Sequence, residues 1–221
     1  MRLVQGAEMA RVVLLGAGVL LSLGRPVHAG DGEEEGSRDR GWSIGFQLVS
    51  DHIGAESPDP ESSPDAVYVS EKGAGALVSV GYAFDPAFAL RLSLAGARHE
   101  TTLQDVGIDH ASVSLEAHHR FSRWGRAQPY LFGGLGGSTL EFNSDLLDSR
   151  TSGAVAVLGV GIVFDLTRHL SLDLATRLDL INWDKVEVIS VLPGNVVVHL
   201  EDPVDEKGSA AKLLVGLLWR F

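Results

Sequence analysis

Apolar residues recur at every second position in eight separate stretches of this chain, and that spacing limits its fold more than any other property. Successive side chains of a β-strand point to opposite faces, so strict alternation makes a ribbon with one apolar face and one polar face. GWSIGFQLV sets Trp42, Ile44, Phe46 and Leu48 against Ser43, Gly45 and Gln47. GALVSVGYAF, FALRLSLAGARH and ASVSLEAHHRF continue the pattern. PYLFGGLGGSTLEF opens with Tyr130 and Phe132 opposite small residues, and AVAVLGVGIVF, LSLDLATRLDLI and KLLVGLLWRF complete the set. Each stretch runs about 9 to 14 residues, and roughly 9 to 11 tilted residues carry a strand across a bilayer. Beyond the first thirty residues no stretch approaches the ~18 consecutive apolar residues of a spanning helix, which excludes a helical membrane bundle.

The connections alternate as well. DPA, SRWGRAQ and DLTRH are short turns, whereas SDHIGAESPDPESSPDAVYVS, ETTLQDVGIDH, NSDLLDSRTSG and the stretch from Trp183 to Gly208 are long or polar. Short turns at one end and long loops at the other are the pattern of an eight-stranded antiparallel up-and-down transmembrane β-barrel, with the short turns facing the periplasm. A soluble β-sandwich or lipocalin-like barrel also alternates, but its polar face meets water. In this chain Gly45, Gly81, Gly133, Gly159, Gly161 and Gly216 are expected to leave room inside, with Leu, Val and aromatic residues outside. Trp42, Phe84, Phe88, Phe121, Trp124, Tyr130 and Phe164 fall near the short-turn ends and are expected to form an interfacial aromatic girdle with Trp219 and Phe221. Tyr68, Phe142 and Trp183 are candidates for a thinner outer girdle.

The first 29 residues place Arg2 and Arg11 before an apolar run from Val12 to Gly24, followed by Val27-His28-Ala29. This is the layout of an export signal, with Met9 as an alternative start. Residues 30–40 then read as a charged leader and 41–221 as the barrel. Cysteine is absent, so there is neither a disulfide framework nor a lipidated cysteine. The formal charge of −11 becomes more acidic still when Arg2, Arg11 and Arg25 leave with only Glu8, which argues against nucleic acid as a partner.

The chain finishes on GLLWRF, with Gly216, Trp219 and Phe221 spaced as glycine-x-x-aromatic-x-aromatic. This resembles the C-terminal signal by which the barrel assembly machinery recognises outer-membrane proteins of Gram-negative bacteria. The segments QPYLFGGLGG, LVSVGYAFDPAFALRLSL and GVGIVFDLTRHLSLDLATRLDL resemble the small barrel family that includes OmpA transmembrane domains and OmpW. That resemblance implies an outer-membrane location among lipid and lipopolysaccharide. It leaves three roles open: a structural or surface-interaction barrel, a narrow pore for small apolar or cationic solutes, and a lipid A-modifying enzyme. A lipid A deacylase of this shape carries His-x-Ser on a strand with an acid nearby; here the two such triplets, His110-Ala111-Ser112 and His169-Leu170-Ser171, have their histidines in the connections outside the alternating stretches. A palmitoyltransferase carries an amphipathic N-terminal helix, where this chain has DGEEEGSRDR. No catalytic or cofactor-binding constellation is read, and the structural or surface role is preferred.

The charged residues of the polar face sharpen the expectation. Arg91, Glu116, His118, Arg120, Asp173, Arg177, Asp179, Lys212 and Arg220 all fall inward by parity, with Lys212 level with Arg177 and Asp179, and unpaired buried charge is costly, so they are expected to pair across strands into a plug. A gated polar path is the other reading. His99 and His110, with Glu100 and Asp109 nearby, are weighed as a divalent-metal site and set aside as solvated loop residues, so no metal is assigned. The adjacent His118 and His119 point to opposite faces and cannot share one ion. GGLGG lacks the lysine and following helix of a phosphate loop. Acid gathers in the first loop (Asp51, Glu56, Asp59, Glu61, Asp65) and the fourth (Asp184, Glu187, Glu201, Asp202, Asp205, Glu206), where a cation-attracting mouth competes with plain solubility. Within the fourth loop, VEVISVL and NVVVHL flank Pro193-Gly194-Asn195. These runs are too short to cross a bilayer and are expected to extend strands seven and eight beyond it, bringing Val188 near Leu200 and Asp173 near Leu214 and offering an edge to a surface partner.

Overall fold

The computed structural model describes residues 40–54, 69–101, 107–143, 147–192 and 196–221. Eight strands follow one another: β1 (Gly41–Ile53), β2 (Val69–Ala83), β3 (Phe88–Thr101), β4 (Gly107–Arg120), β5 (Ala127–Asn143), β6 (Leu147–Asp165), β7 (Leu170–Leu192) and β8 (Val196–Arg220). Each pairs antiparallel with its sequence neighbours, and β8 returns to β1 to close the ring. Closure leaves no open sheet edge within the hydrocarbon region, the condition lipid imposes on any β-structure that crosses it.

The alternation read from the sequence becomes two faces. Leu48, Leu94 and Leu135 are 63%, 61% and 72% exposed, and Trp42, Phe46, Leu92, Leu115, Leu213 and Leu217 stand on the same outer surface. That much exposed aliphatic and aromatic area is what a lipid-facing band requires. The partners in the alternation, among them Gln47, Ser79, Ser93, Ser112, Glu116 and Arg177, are buried.

Local chemistry closes the short turns. After β2, the Asp85 side chain accepts from the backbone N–H groups of Ala87 and Phe88, each at 2.7 Å, and reverses the chain. Before β7, the Thr167 hydroxyl accepts from the N–H groups of His169 and Leu170. At the seam of the barrel the Phe221 N–H donates to the Trp42 carbonyl at 3.0 Å, so the final residue is held to the first strand. Gly41 permits this, because it has φ +142° and a Cβ there would stand 2.8 Å from the Phe221 carbonyl oxygen.

Above the long-loop end the sheet does not stop. β7 and β8 stay paired to Leu192↔Val196, and Val188 faces Leu200. From Trp183 outward this ribbon rises roughly 30 Å at ~3.3 Å per residue. β5 and β6 also climb, with Asn143 opposite Asp148, and β6 stays beside β7 as far as Leu147↔Ser190. The sequence reading assigned NSDLLDSRTSG to a long loop; most of it is hairpin, because Thr151, Ser152 and Arg150 find strand partners on both sides. The expected pairing of Asp173 with Leu214 is also corrected: Asp173 faces Gly216 and Leu214 faces Ala175. The register shifts between Trp183 and Lys185, an irregularity that alternation alone does not reveal. Tyr68, the expected turn at Pro193-Gly194-Asn195, the export signal, the leader up to residue 39 and the first-loop acids Glu56, Asp59, Glu61 and Asp65 lie outside the described residues.

Candidate functional site

The polar face turns inward and forms a layered network. Arg177, 1% exposed, donates from Nη1 to Glu116 Oε1 at 2.7 Å, from Nε to Asp179 Oδ1 at 2.6 Å and from Nη2 to Ser114 Oγ at 3.2 Å. Lys212, directly opposite Arg177 across the β7–β8 ladder, donates to Asp179 Oδ2 at 2.5 Å. Glu116 also accepts from the Ser114 hydroxyl at 2.7 Å, and its Oε2 lies 3.1 Å from His118 Nε2. Nearer the short turns, Arg91 Nη1 donates to Asp173 Oδ2 at 3.2 Å and the Tyr130 hydroxyl donates to Asp173 Oδ1 at 2.6 Å. The cations Arg91, Arg177 and Lys212 thus meet the anions Asp173, Glu116 and Asp179, so this part of the interior is electrically balanced.

Of the inward charges named from the sequence, Arg91, Glu116, His118, Asp173, Arg177, Asp179 and Lys212 are joined in this network. Arg120 is buried near the end of β4. Arg220 does not join them; it binds Asp165 at 3.1 Å on the short-turn rim, where Asp165 also pairs with Arg123 at 2.6 Å. Asp165 was missed because it lies at the edge of the DLTRH turn, beyond the alternating run.

Tyr130 requires a correction. The sequence reading placed it in the outward girdle, but it is 2% exposed and points inward with Phe132. The reason is volume. A Cβ on Gly161 would collide with the Tyr130 ring and one on Gly159 with the Phe132 ring, and these glycines sit directly opposite in register. Two bare positions on β6 admit two large rings from β5, and His118 stacks on Phe132 with centroids 4.8 Å apart and planes 7° apart. Gly133, expected inside, shares the outward face with Leu131 and Leu135, and its Cβ would meet the outward Leu158. The signal was in the sequence: Leu131 and Leu135 set one parity, Gly134 and Gly136 the other.

The other girdle residues stand outside. Trp42, Phe84, Phe88 and Trp124 are exposed, and Phe84 is in ring contact with Phe88 and with Tyr82. Phe121 and Phe164 are half-buried, Phe121 against His119. Trp219 faces outward against His169, and Phe221 is exposed, whereas Gly216 points inward against Gln47. Trp183 is corrected from outer girdle to mouth, since it packs on the buried interior cluster and over Gly208.

A second interior group corrects the sequence reading, which weighed His99 and His110 as metal ligands, set them aside as solvated loop residues and counted Asp51 among the loop acids. All three lie on strands and are buried together towards the long-loop end, whereas Glu100 and Asp109, considered beside those histidines, point outward. His110-Ala111-Ser112, read as falling outside the strands, lies on β4 with the His110 and Ser112 side chains buried in the interior. On the external ribbon, Lys185 lies 2.6 Å from Glu187 and also pairs with Glu201, and its pKa is raised to about 12 mainly by the Glu187 hydrogen bond.

A closed eight-stranded ring with an apolar exterior and a charged, buried interior defines a transmembrane outer-membrane barrel. Residues 17–221 match the family model of the outer membrane protein beta-barrel domain, and the chain belongs to that family and to the outer membrane of a Gram-negative bacterium. Among solved structures it is similar to neisserial surface protein A (15% identity, covering 81% of this chain and 97% of that one, TM-score 0.59). It is similar also to a major outer membrane protein of Thermus thermophilus (12%, 81% and 99%, TM-score 0.60) and to the attachment invasion locus protein Ail of Yersinia pestis (16%, 82% and 99%, TM-score 0.51). These identities establish a shared fold. No curated protein sequence matches the chain.

Proposed function

We propose that this protein is a non-enzymatic, non-conducting outer-membrane barrel with a structural or surface-interaction role. The observation that carries the reading is the burial of Asp173, Arg177 and Asp179 at no more than 1% exposure: solvent does not reach them from either mouth. A conducting lumen keeps its charged lining wet, whereas ion pairs bonded across the interior act as a plug. The surface role falls to the β7–β8 ribbon. β8 pairs with β1 only as far as Ala210↔Ile53, so among the described residues its outer edge beyond Ser209 faces no second strand. Pro203 lacks an N–H, and Asp202, Asp205 and Glu206 crowd the base, which confines strand addition by a partner to the stretch from Val196 to Glu201. Trp219 and Phe221 would serve as the address read by the assembly machinery.

The test is solute entry into liposomes carrying the refolded barrel. Swelling rates equal to protein-free liposomes are expected for small sugars and amino acids; uptake of any of them at porin-like rates refutes the plug. Expression should also leave the mass of lipid A unchanged, and a new lipid A species would establish the enzymatic alternative.

A further inference from the structure

We propose that Asp51, His99 and His110 form a binding site for a divalent late first-row transition cation of the zinc type, stapling β1, β3 and β4 at the loop-side end of the barrel interior. The three side chains arrive from different strands and are at most 2% exposed. One ligand atom from each lies within 4.8 Å of the others. His99 Nε2 stands 3.5 Å and His110 Nδ1 2.6 Å from Asp51 Oδ2. Zinc bonds of ~2.1 Å in a tetrahedron separate ligand atoms by roughly 3.4 Å, so the His99 edge already fits and the His110 contact needs to open by about 0.8 Å.

The hydrogen-bond directions point to a missing cation. His99 Nδ1 lies 3.1 Å from the Ser70 carbonyl, which can only accept, so Nδ1 carries the proton. In the neutral ring Nε2 is then a bare lone pair aimed at a carboxylate oxygen, and it has no hydrogen-bond partner among the described residues. Asp51 Oδ1 is equally buried and equally without one. His110 Nε2 lies 2.9 Å from Ser138 Oγ, whose own hydroxyl donates to the Ala111 carbonyl at 3.3 Å. Ser138 can therefore accept from Nε2–H, leaving Nδ1 to face Asp51. A second-sphere acceptor that fixes the ring tautomer is the usual support of a metal-bound histidine.

Charge and space agree. Lys212 sits opposite Asp51 on β8, but its ammonium is engaged by Asp179 at 2.5 Å. The carboxylate of Asp51 is thus surplus to the balanced network below it. Between Asp51 and His99 in the same cross-strand row lies Gly73, where a Cβ would come 2.6 Å from His99 Nε2. Glycine there clears the space in which carboxylate and imidazole meet. Two imidazole nitrogens with one carboxylate oxygen suit zinc and its neighbours, whereas calcium and magnesium prefer all-oxygen sets.

The test uses the full barrel refolded in detergent, stripped with EDTA and titrated with Zn²⁺ by calorimetry and with Co²⁺ by visible absorption. One saturable Zn²⁺ per chain and a ligand-field band typical of four-coordinate cobalt are expected. Asp51→Asn, His99→Gln and His110→Gln should each weaken Zn²⁺ binding at least about tenfold. Gly73→Ala should do the same by displacing the His99 ring. The outward changes Glu100→Gln and Asp109→Asn should leave affinity unchanged, with heat-modifiable migration reporting that each variant is folded. Absence of saturable Zn²⁺ binding and of the cobalt band in the unaltered barrel overturns the site. Equal affinity in His99→Gln and Asp51→Asn, or loss in Glu100→Gln, overturns it as well.

Discussion

Replacing Arg177 by Met removes the cation on which the interior network converges while keeping much of the side chain's length. Three donated bonds disappear, to Glu116, Asp179 and Ser114. The carboxylates are not left bare: Glu116 keeps Ser114 and lies beside His118, and Asp179 keeps Lys212. Breaking a buried pair from one side costs about 3 to 5 kcal/mol, and these residual partners place the expected loss near the lower end, ~3 kcal/mol. Adding Glu116→Gln removes the surplus charge, so Arg177→Met should cost less in that background, with a coupling of about 1 to 3 kcal/mol. Arg177→Lys should fall between, since one ammonium cannot reproduce the fork that spans two carboxylates. Equilibrium urea unfolding in lipid vesicles, followed by tryptophan fluorescence, measures the unaltered barrel and the four variants. A loss below ~1 kcal/mol for Arg177→Met, or strict additivity in the double variant, would refute the view that these charges are held by one another.

Tyr130→Phe should cost about 1 to 3 kcal/mol in the same assay, because Asp173 loses a buried donor at 2.6 Å while the ring volume is retained. Gly161→Val should destabilise more than Gly133→Val, since the first drives a side chain into Tyr130 and the second adds one to the lipid-facing surface; equal effects would contradict the assigned faces. Deleting Phe221 is expected to lower the amount of heat-modifiable barrel recovered from outer membranes, and unchanged recovery would dismiss its role in assembly. Protease added to intact cells should cut between Glu201 and Lys207 and leave the membrane-embedded ring whole; complete protection would mean the ribbon does not face outward.

The strands and their lipid face were legible because lipid and the pleat impose one period on every segment, and Trp42 to Leu48 or Leu170 to Leu180 follow it without exception. Parity was misread where both faces of a strand carry weak signals: in β5 the glycines at 133, 134, 136 and 137 straddle the wall, so that only Leu131 and Leu135 mark the outward face, and the facing Gly159 and Gly161 make the room into which Tyr130 and Phe132 turn. Inward charges could be named one strand at a time, but their partners depend on cross-strand register. Arg177 and Lys212 stand level, whereas Leu214 lies two residues from the partner of Asp173, and the shift between Trp183 and Lys185 accounts for one of the two. His99 and His110 were weighed as ligands and set aside, and Asp51 was counted as a loop acid, for the same reason. They stand at the ends of three strands whose inward parity had to be carried through to the loop boundary, and Gly73 contributes only by having no side chain.

Single-channel recording in planar bilayers tests the closed interior most directly, using the unaltered barrel beside a variant in which Glu116, Arg177 and Asp179 are all replaced by Gly. The unaltered protein should insert without discrete conductance steps, and the variant, with the central side chains of the plug cut away, should open small and reproducible channels. Steady channels from the unaltered barrel, with conductance that the triple replacement leaves unchanged, would show that ions pass by a route these residues do not close.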